Sequence, residues 1–163
     1  MAGLSDGDRA RYARHLTLPQ VGEIGQSKLK HSRVFCVGAG GLGSPALLYL
    51  AAAGIGHLTV IDDDTIERSN LQRQILHADD DVGISKAESA MLRLRELNPT
   101  ISIEVYAERL TSENAMQLIQ GHDIVLDGTD NISTRYLIND VCEILGIPWV
   151  YGSIYRFEGQ VSV

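Results

Sequence analysis

Hydrophobic positions along this chain follow two periods. Short β-branched or apolar runs at 33–37, 58–62, 124–127 and 149–154 predict strands, and Ile101, Ile103 and Val105 alternate with polar residues to predict another at 101–106. Between them the apolar spacing turns helical. Residues 5–16 predict a short helix that Ser5 or Asp6 can cap, with Tyr12, Ala13 and Leu16 on one side. A second helix falls at about 24–30, a third at 44–53, a fourth at 85–97 opened by the capping box Ser85–Glu88, a fifth at 111–120 and a sixth at 133–145. Glu158 and Gly159 read as a turn before an apolar alternation that ends at Val163. Strands alternating with helices predict an α/β fold. It is a doubly wound, mainly parallel Rossmann-like sheet with helices on both faces and an N-terminal helical extension. The whole of 1–163 reads as one domain. An alternating strand with nothing after it suggests the N-terminal part of a longer protein.

Two segments depart from this regular pattern. The helix at 44–53 is apolar on nearly every side (Leu47, Leu48, Tyr49, Leu50), which predicts burial beyond the sheet face, against a second layer or a partner subunit. The polar stretch 63–83 is long for a strand-to-helix connection, and loops of that length in compact domains are commonly functional.

Composition narrows the function classes. Of 163 residues, 44% are hydrophobic and 21% charged, as in an ordinary soluble globular protein. The net charge of −7 argues against wholesale binding of nucleic acid or an anionic membrane. No apolar run spans a bilayer and no secretion signal opens the chain. Cys36 and Cys142 fit a reducing cytoplasm and read as small buried hydrophobes; they cannot form a four-thiolate zinc site. The five histidines are scattered singly and suggest no ligand set.

The chemistry concentrates where the first strand ends. Gly38, Gly40 and Gly43 have the G-x-G-x-x-G spacing, and Asp62 follows 19 residues after Gly43. Glycines let the chain turn and let a phosphate approach the backbone, the next helix points free N–H groups at it, and the acidic residue can accept bonds from a ribose. Three further charges fit poorly as bland surface. Lys86 opens a helix, where a cation opposes the dipole. Arg73 lies in the long loop leading to it. With strand order 3-2-1-4-5, Asp130 faces the glycine turn across the switch point, where a carboxylate beside phosphates calls for a bridging Mg²⁺. Together these describe a triphosphate site better than a dinucleotide site. An NAD-dependent oxidoreductase domain is the alternative, as the glycines and Asp62 fit it equally well; Asp130 could also simply cap the following helix.

The motifs resemble those of the MoeB/ThiF adenylyltransferases, relatives of the ubiquitin-activating E1 enzymes. The resemblance rests on Arg11-Tyr-Ala-Arg14, Gly38-Ala-Gly-Gly-Leu-Gly43, Ile61-Asp-Asp-Asp64, Ser69-Asn-Leu-Gln-Arg-Gln74, Gly83-Ile-Ser-Lys86, Asn98-Pro99, Asp127-Gly-Thr-Asp-Asn131 and Gly159-Gln160, in family order. It implies an ATP site. Gly41 would pass the α-phosphate, Asp62 would hold the ribose, and Asn70, Arg73 and Lys86 would grip the phosphates. Ser69, Leu71, Gln72, Thr129 and Asn131 complete the implied nucleotide-binding set. Asp130 would hold Mg²⁺, and Arg14 would reach the γ-phosphate in the neighbouring subunit of a homodimer; Arg73, Asp130 and Arg14 are thus the implied catalytic residues. The implied reaction is adenylation of the C-terminal Gly-Gly carboxylate of a ubiquitin-like sulfur carrier of the MoaD/ThiS type, in molybdenum-cofactor or thiamine biosynthesis, with release of pyrophosphate. Adenylation of another substrate, such as tRNA, is the variant within the superfamily. Family members usually add two C-x-x-C pairs for structural zinc further on, so zinc is expected only if a later region supplies the cysteines.

Overall fold

The computed structural model describes residues 3–163. In chain order the elements are α1 (Asp6–Arg11), α2 (Ala13–Leu16), α3 (Gly22–His31), β1 (Arg33–Val37), α4 (Gly43–Ala53), β2 (His57–Ile61), α5 (Lys86–Leu97), β3 (Ser102–Tyr106), α6 (Ala115–Ile119), β4 (Ile124–Asp127), α7 (Ile132–Leu145), β5 (Trp149–Tyr155) and β6 (Glu158–Ser162). They form one sheet of order β3-β2-β1-β4-β5-β6. The first five strands are parallel and β6 pairs antiparallel with β5. The expected doubly wound sheet is therefore present, with β1 and β4 adjacent at the switch point.

Period-two alternation splits the core into two layers. Val34 and Cys36 of β1 and Leu58 and Val60 of β2 pack with Leu47, Ala51, Ala90 and Leu94 of α4 and α5. Phe35, Val37, Ile61 and Val125 pack on the other side with Ala115 and Ile119 of α6 and Ile138 and Val141 of α7. Each fully buried Val, Leu, Ile or Phe side chain of these layers contributes about 1.5–3 kcal/mol.

Four sequence expectations change. The N-terminal helix is two helices broken at Tyr12. Ser5 caps α1 in a capping box with Asp8, while the buried Tyr12 accepts a bond from Asn98 Nδ2 at 2.8 Å and lies against Gly54. Docking that ring on the ends of α4 and α5 is what interrupts the helix. The helix expected at 111–120 shrinks to α6, because the Asn114 side chain accepts from Thr111 N–H and ties the preceding residues into a turn. The turn expected at Glu158–Gly159 lies instead at Arg156–Phe157, since Tyr155 pairs with Glu158 and Ile154 with Gly159. A tight hairpin needs a positive φ, and here Arg156 supplies it at φ 58. Finally, α4 buries Leu47 and Ala51, while Tyr49 on its far side is 77% exposed. Its all-round apolar sequence is not matched by all-round burial within this chain.

The long loop holds its shape through its own anchors. Ile66, Leu76, Gln74 and His77 are buried. Its two ends are stitched together by Ile66 N–H to the Ile84 carbonyl at 2.9 Å and Lys86 N–H to the Asp64 carbonyl at 3.0 Å.

At the amino ends of the strands, away from the glycine turn, lies a buried hydrogen-bond relay. His122 Nδ1 donates to the Ile119 carbonyl at 3.1 Å, which leaves Nε2 to accept from Thr59 Oγ1 at 2.8 Å; Thr59 in turn accepts from His57 Nε2 at 3.1 Å. Burial pushes both histidines below the usual histidine range, with Arg33 adding to the effect. The unfolded chain therefore takes up protons that the folded one refuses. Stability is complete above about pH 6.5 and falls as the pH drops below it, before ordinary carboxylates titrate. Urea midpoints at pH 7.5 and 5.5 measure this; equal midpoints would show that the relay is not neutral.

Candidate functional site

The glycine turn sits where β1 meets α4, and steric demand explains its sequence. Gly38 takes φ +93, and a Cβ on Gly43 would lie 1.9 Å from the Gly38 carbonyl oxygen. Just after β4, Gly128 also packs tightly: its Cβ would be 3.0 Å from Gly43 N. The turn and the post-β4 loop thus meet backbone to backbone at the switch point. Neither Gly40 N–H nor Gly41 N–H has a backbone acceptor among the described residues.

In front of this junction opens a cavity of about 600 Å³, a size that suits a nucleotide. Gly41, Asp62, Arg73, Lys86, Thr129, Asp130 and Asn131 of the expected set all line it. The stem of Arg73 lies over Gly41, where an added Cβ would be 3.6 Å from Arg73 Cδ. Lys86 is only 5% exposed and its Nζ donates to Asp64 Oδ2 at 2.6 Å. The anion that offsets its place at the start of α5 is therefore Asp64. Asp62 accepts from Ala39 N–H at 2.8 Å and Asp64 N–H at 2.9 Å, one on each oxygen, which leaves lone pairs facing the cavity. Burial raises its pKa, while those two bonds and the Lys86 charge hold it down.

Asn131, not Asp130, caps α7: its Oδ1 accepts from Ser133 N–H at 3.0 Å and Thr134 N–H at 3.3 Å. Asp130 is left exposed at the cavity wall with no ion pair among the described residues. An unengaged carboxylate is a hard oxygen donor, and Mg²⁺ needs only one or two such groups when phosphates supply the rest. The residues present therefore fit that ion.

Other expected residues do not reach the cavity. Ser69, Asn70, Leu71 and Gln72 lie outside its lining. Asn70 Oδ1 accepts from Glu67 N–H at 3.1 Å and Ser69 Oγ donates to Glu67 at 3.1 Å, so both shape the turn that delivers Arg73. Arg14 is exposed and also lies outside the lining.

Sequence reasoning missed Gln74, Glu108, Arg109 and Arg135, which line the cavity too. Arg135 is the most constrained of them. Its guanidinium donates to the Thr129 carbonyl, to the Gly152 carbonyl at 3.3 Å and to Tyr151 Oη at 2.9 Å, clamping the Asp130 loop to β5. Its spacing on α7 is that of any surface helix residue, so the sequence carries no signal for it. The thiols take no part: burial pushes Cys36 up to about 12 and Cys142, with the Asp127 charge adding, to about 11. No helix of the described residues is long and apolar enough to cross a membrane.

A doubly wound parallel sheet with its glycine turn, flanking cations and a lone carboxylate at the switch point defines a Rossmann-like α/β protein of the nucleotide-binding class. Residues 12–163 match the ThiF family, and the chain belongs to that family. It is 55% identical over 152 residues to the SAMP-activating enzyme E1 of Haloferax volcanii, covering 93% of this chain and 56% of that protein. It is 52% identical over 153 residues to the sulfur carrier protein adenylyltransferase of Thermus thermophilus, covering 94% and 56%. Among solved structures it is similar to the E. coli tRNA N6-threonylcarbamoyladenosine dehydratase TcdA in complex with ATP, with a TM-score of 0.85, 32% identity and coverage of 91% of this chain and 60% of that one. The chain thus spans little more than half the length of these relatives.

Proposed function

We propose that this chain forms the ATP-binding part of an adenylyltransferase that activates the C-terminal Gly-Gly carboxylate of a small ubiquitin-like sulfur carrier. One observation carries the reading: free N–H groups of the glycine turn, Arg73, Lys86 and the unengaged Asp130 line one cavity. The glycine N–H groups bind the α-phosphate and orient it for in-line attack. The attacking carboxylate is already ionised, so no general base is needed; catalysis is positioning and neutralisation of charge. Arg73 and Lys86 neutralise charge on the departing pyrophosphate, and Asp62 fixes the ribose. Asp130 would hold Mg²⁺, which would supply further charge neutralisation at the phosphates. Arg14 acts in the neighbouring subunit of a homodimer, which accords with its exposure outside its own cavity.

The names of the relatives support the carrier substrate. The likeness to a tRNA-modifying protein suggests tRNA instead, and the net charge of −7 weighs against that. Calorimetry is expected to give binding of ATP·Mg²⁺ and none of NAD; the reverse would restore the oxidoreductase reading. ATP–pyrophosphate exchange with MoaD-type and ThiS-type carriers added in turn is expected to depend on one of them. Exchange that tRNA stimulates and carriers do not would replace the substrate.

A further inference from the structure

The glycine turn is held from behind by a side chain that the reaction does not use. Ala39, fully buried, is fixed on both of its peptide planes. Its N–H donates to Asp62 Oδ2 at 2.8 Å, and its carbonyl accepts two bonds, from Ser44 Oγ at 3.0 Å and from His77 Nε2 at 3.0 Å. A carbonyl only accepts, so Nε2 carries the ring proton. The other ring nitrogen meets Ser89 Oγ at 2.9 Å, and that hydroxyl lies 3.0 Å from Asp81 Oδ2. Asp81 is itself held by Ala78 N–H at 2.9 Å. A chain of polar contacts therefore runs from Asp81 through Ser89 on α5 and His77 in the long loop to the carbonyl of Ala39.

The Ala39–Gly40 peptide is trans, and in a trans peptide the N–H points opposite to the C=O. Pulling the Ala39 carbonyl inward onto His77 and Ser44 turns the Gly40 N–H outward. Gly40 lines the cavity, and that N–H has no backbone acceptor among the described residues.

We infer that His77, braced by Ser89, is a positioning residue that aims the Gly40 N–H at the phosphate of the bound nucleotide. The inference rests on the ATP reading of the cavity. His77 touches no substrate; it fixes which face of one peptide the ligand meets. The effect is therefore confined to the phosphate end of the ligand, and adenosine is indifferent to it.

The test compares affinities of the wild type, His77→Phe, His77→Gln and Ser89→Ala for ATP·Mg²⁺ and for adenosine. His77→Phe keeps a ring but removes the donor, and is expected to weaken ATP by roughly tenfold, the scale of one hydrogen bond to a charged group, with adenosine binding unchanged. Glutamine places a terminal N–H near the same position and is expected to restore most of the loss. Ser89→Ala leaves the ring in place without its brace and is expected to lose less than His77→Phe, again for ATP only. If His77→Phe does not fold, the other two variants decide. Equal ATP affinity in wild type and variants, equal losses for ATP and adenosine, or no rescue by glutamine would overturn the inference. A wild type that binds adenosine but gains nothing from the phosphates would overturn the ATP reading itself.

Discussion

Alanine in place of Asp130 or Arg73 is expected to lower ATP–pyrophosphate exchange by about 10²–10³-fold, the usual loss on removing one charge-stabilising group. The melting temperature should stay where it is. Neither side chain carries the fold: Asp130 makes no ion pair among the described residues, and the one hydrogen bond of Arg73 reaches the Ser69 carbonyl at 3.3 Å. Both face the cavity, with Arg73 lying over Gly41. A lost function with retained stability is the signature of groups reserved for a ligand. Near-normal exchange in either variant would remove that residue from the mechanism, and in both would remove the adenylation assignment.

The second large effect concerns the turn itself. Gly43→Ala would place a methyl carbon 1.9 Å from the Gly38 carbonyl oxygen and 2.8 Å from its carbon. Both are backbone atoms, so no rotamer change relieves the clash. A loss of about 3 kcal/mol or more is expected, at the top of the range for overpacking, together with loss of nucleotide binding. Gly83 supplies the control. It has φ +90 and nothing within 4 Å of an added Cβ, so Gly83→Ala carries backbone strain alone, about 1–2 kcal/mol. Urea denaturation separates the two. Equal losses would show that Gly38 and Gly43 do not approach as closely as the structure has them.

The strands and their order were legible because buried parallel strands leave apolar runs that no surface element imitates, and the glycine spacing marks the switch point. Part of the charged cavity lining was legible for a different reason: Lys86 opens a helix, where a cation has a local cost, and Asp130 follows the strand that flanks the switch point. Arg135 and His77 left no such mark. Each is an ordinary residue in its own segment and acquires its role only when a distant carbonyl, Thr129 or Ala39, is brought against it. Tyr12 misled in the same way, since the break between α1 and α2 is set by its docking on Gly54 and Asn98. The hairpin turn went to Arg156 and Phe157 although a glycine stood two residues later, because strand register outweighed local preference.

The position of β1 in the sheet has a kinetic consequence. Val34 pairs with Leu58 on one side and with Ile124 on the other. The first pairing closes a short loop; the second spans some ninety residues of chain, and long closures slow folding. The glycine turn, Asp62, Arg73 and Lys86 belong to the early half, whereas Asp130 arrives only when β4 docks. A chain folded as far as β3 would hold three walls of the cavity and lack the fourth. On the proposed reading, ATP·Mg²⁺ would be held in full only once the last central strand brings Asp130 to the cavity. It should slow unfolding of the finished domain far more than it speeds assembly.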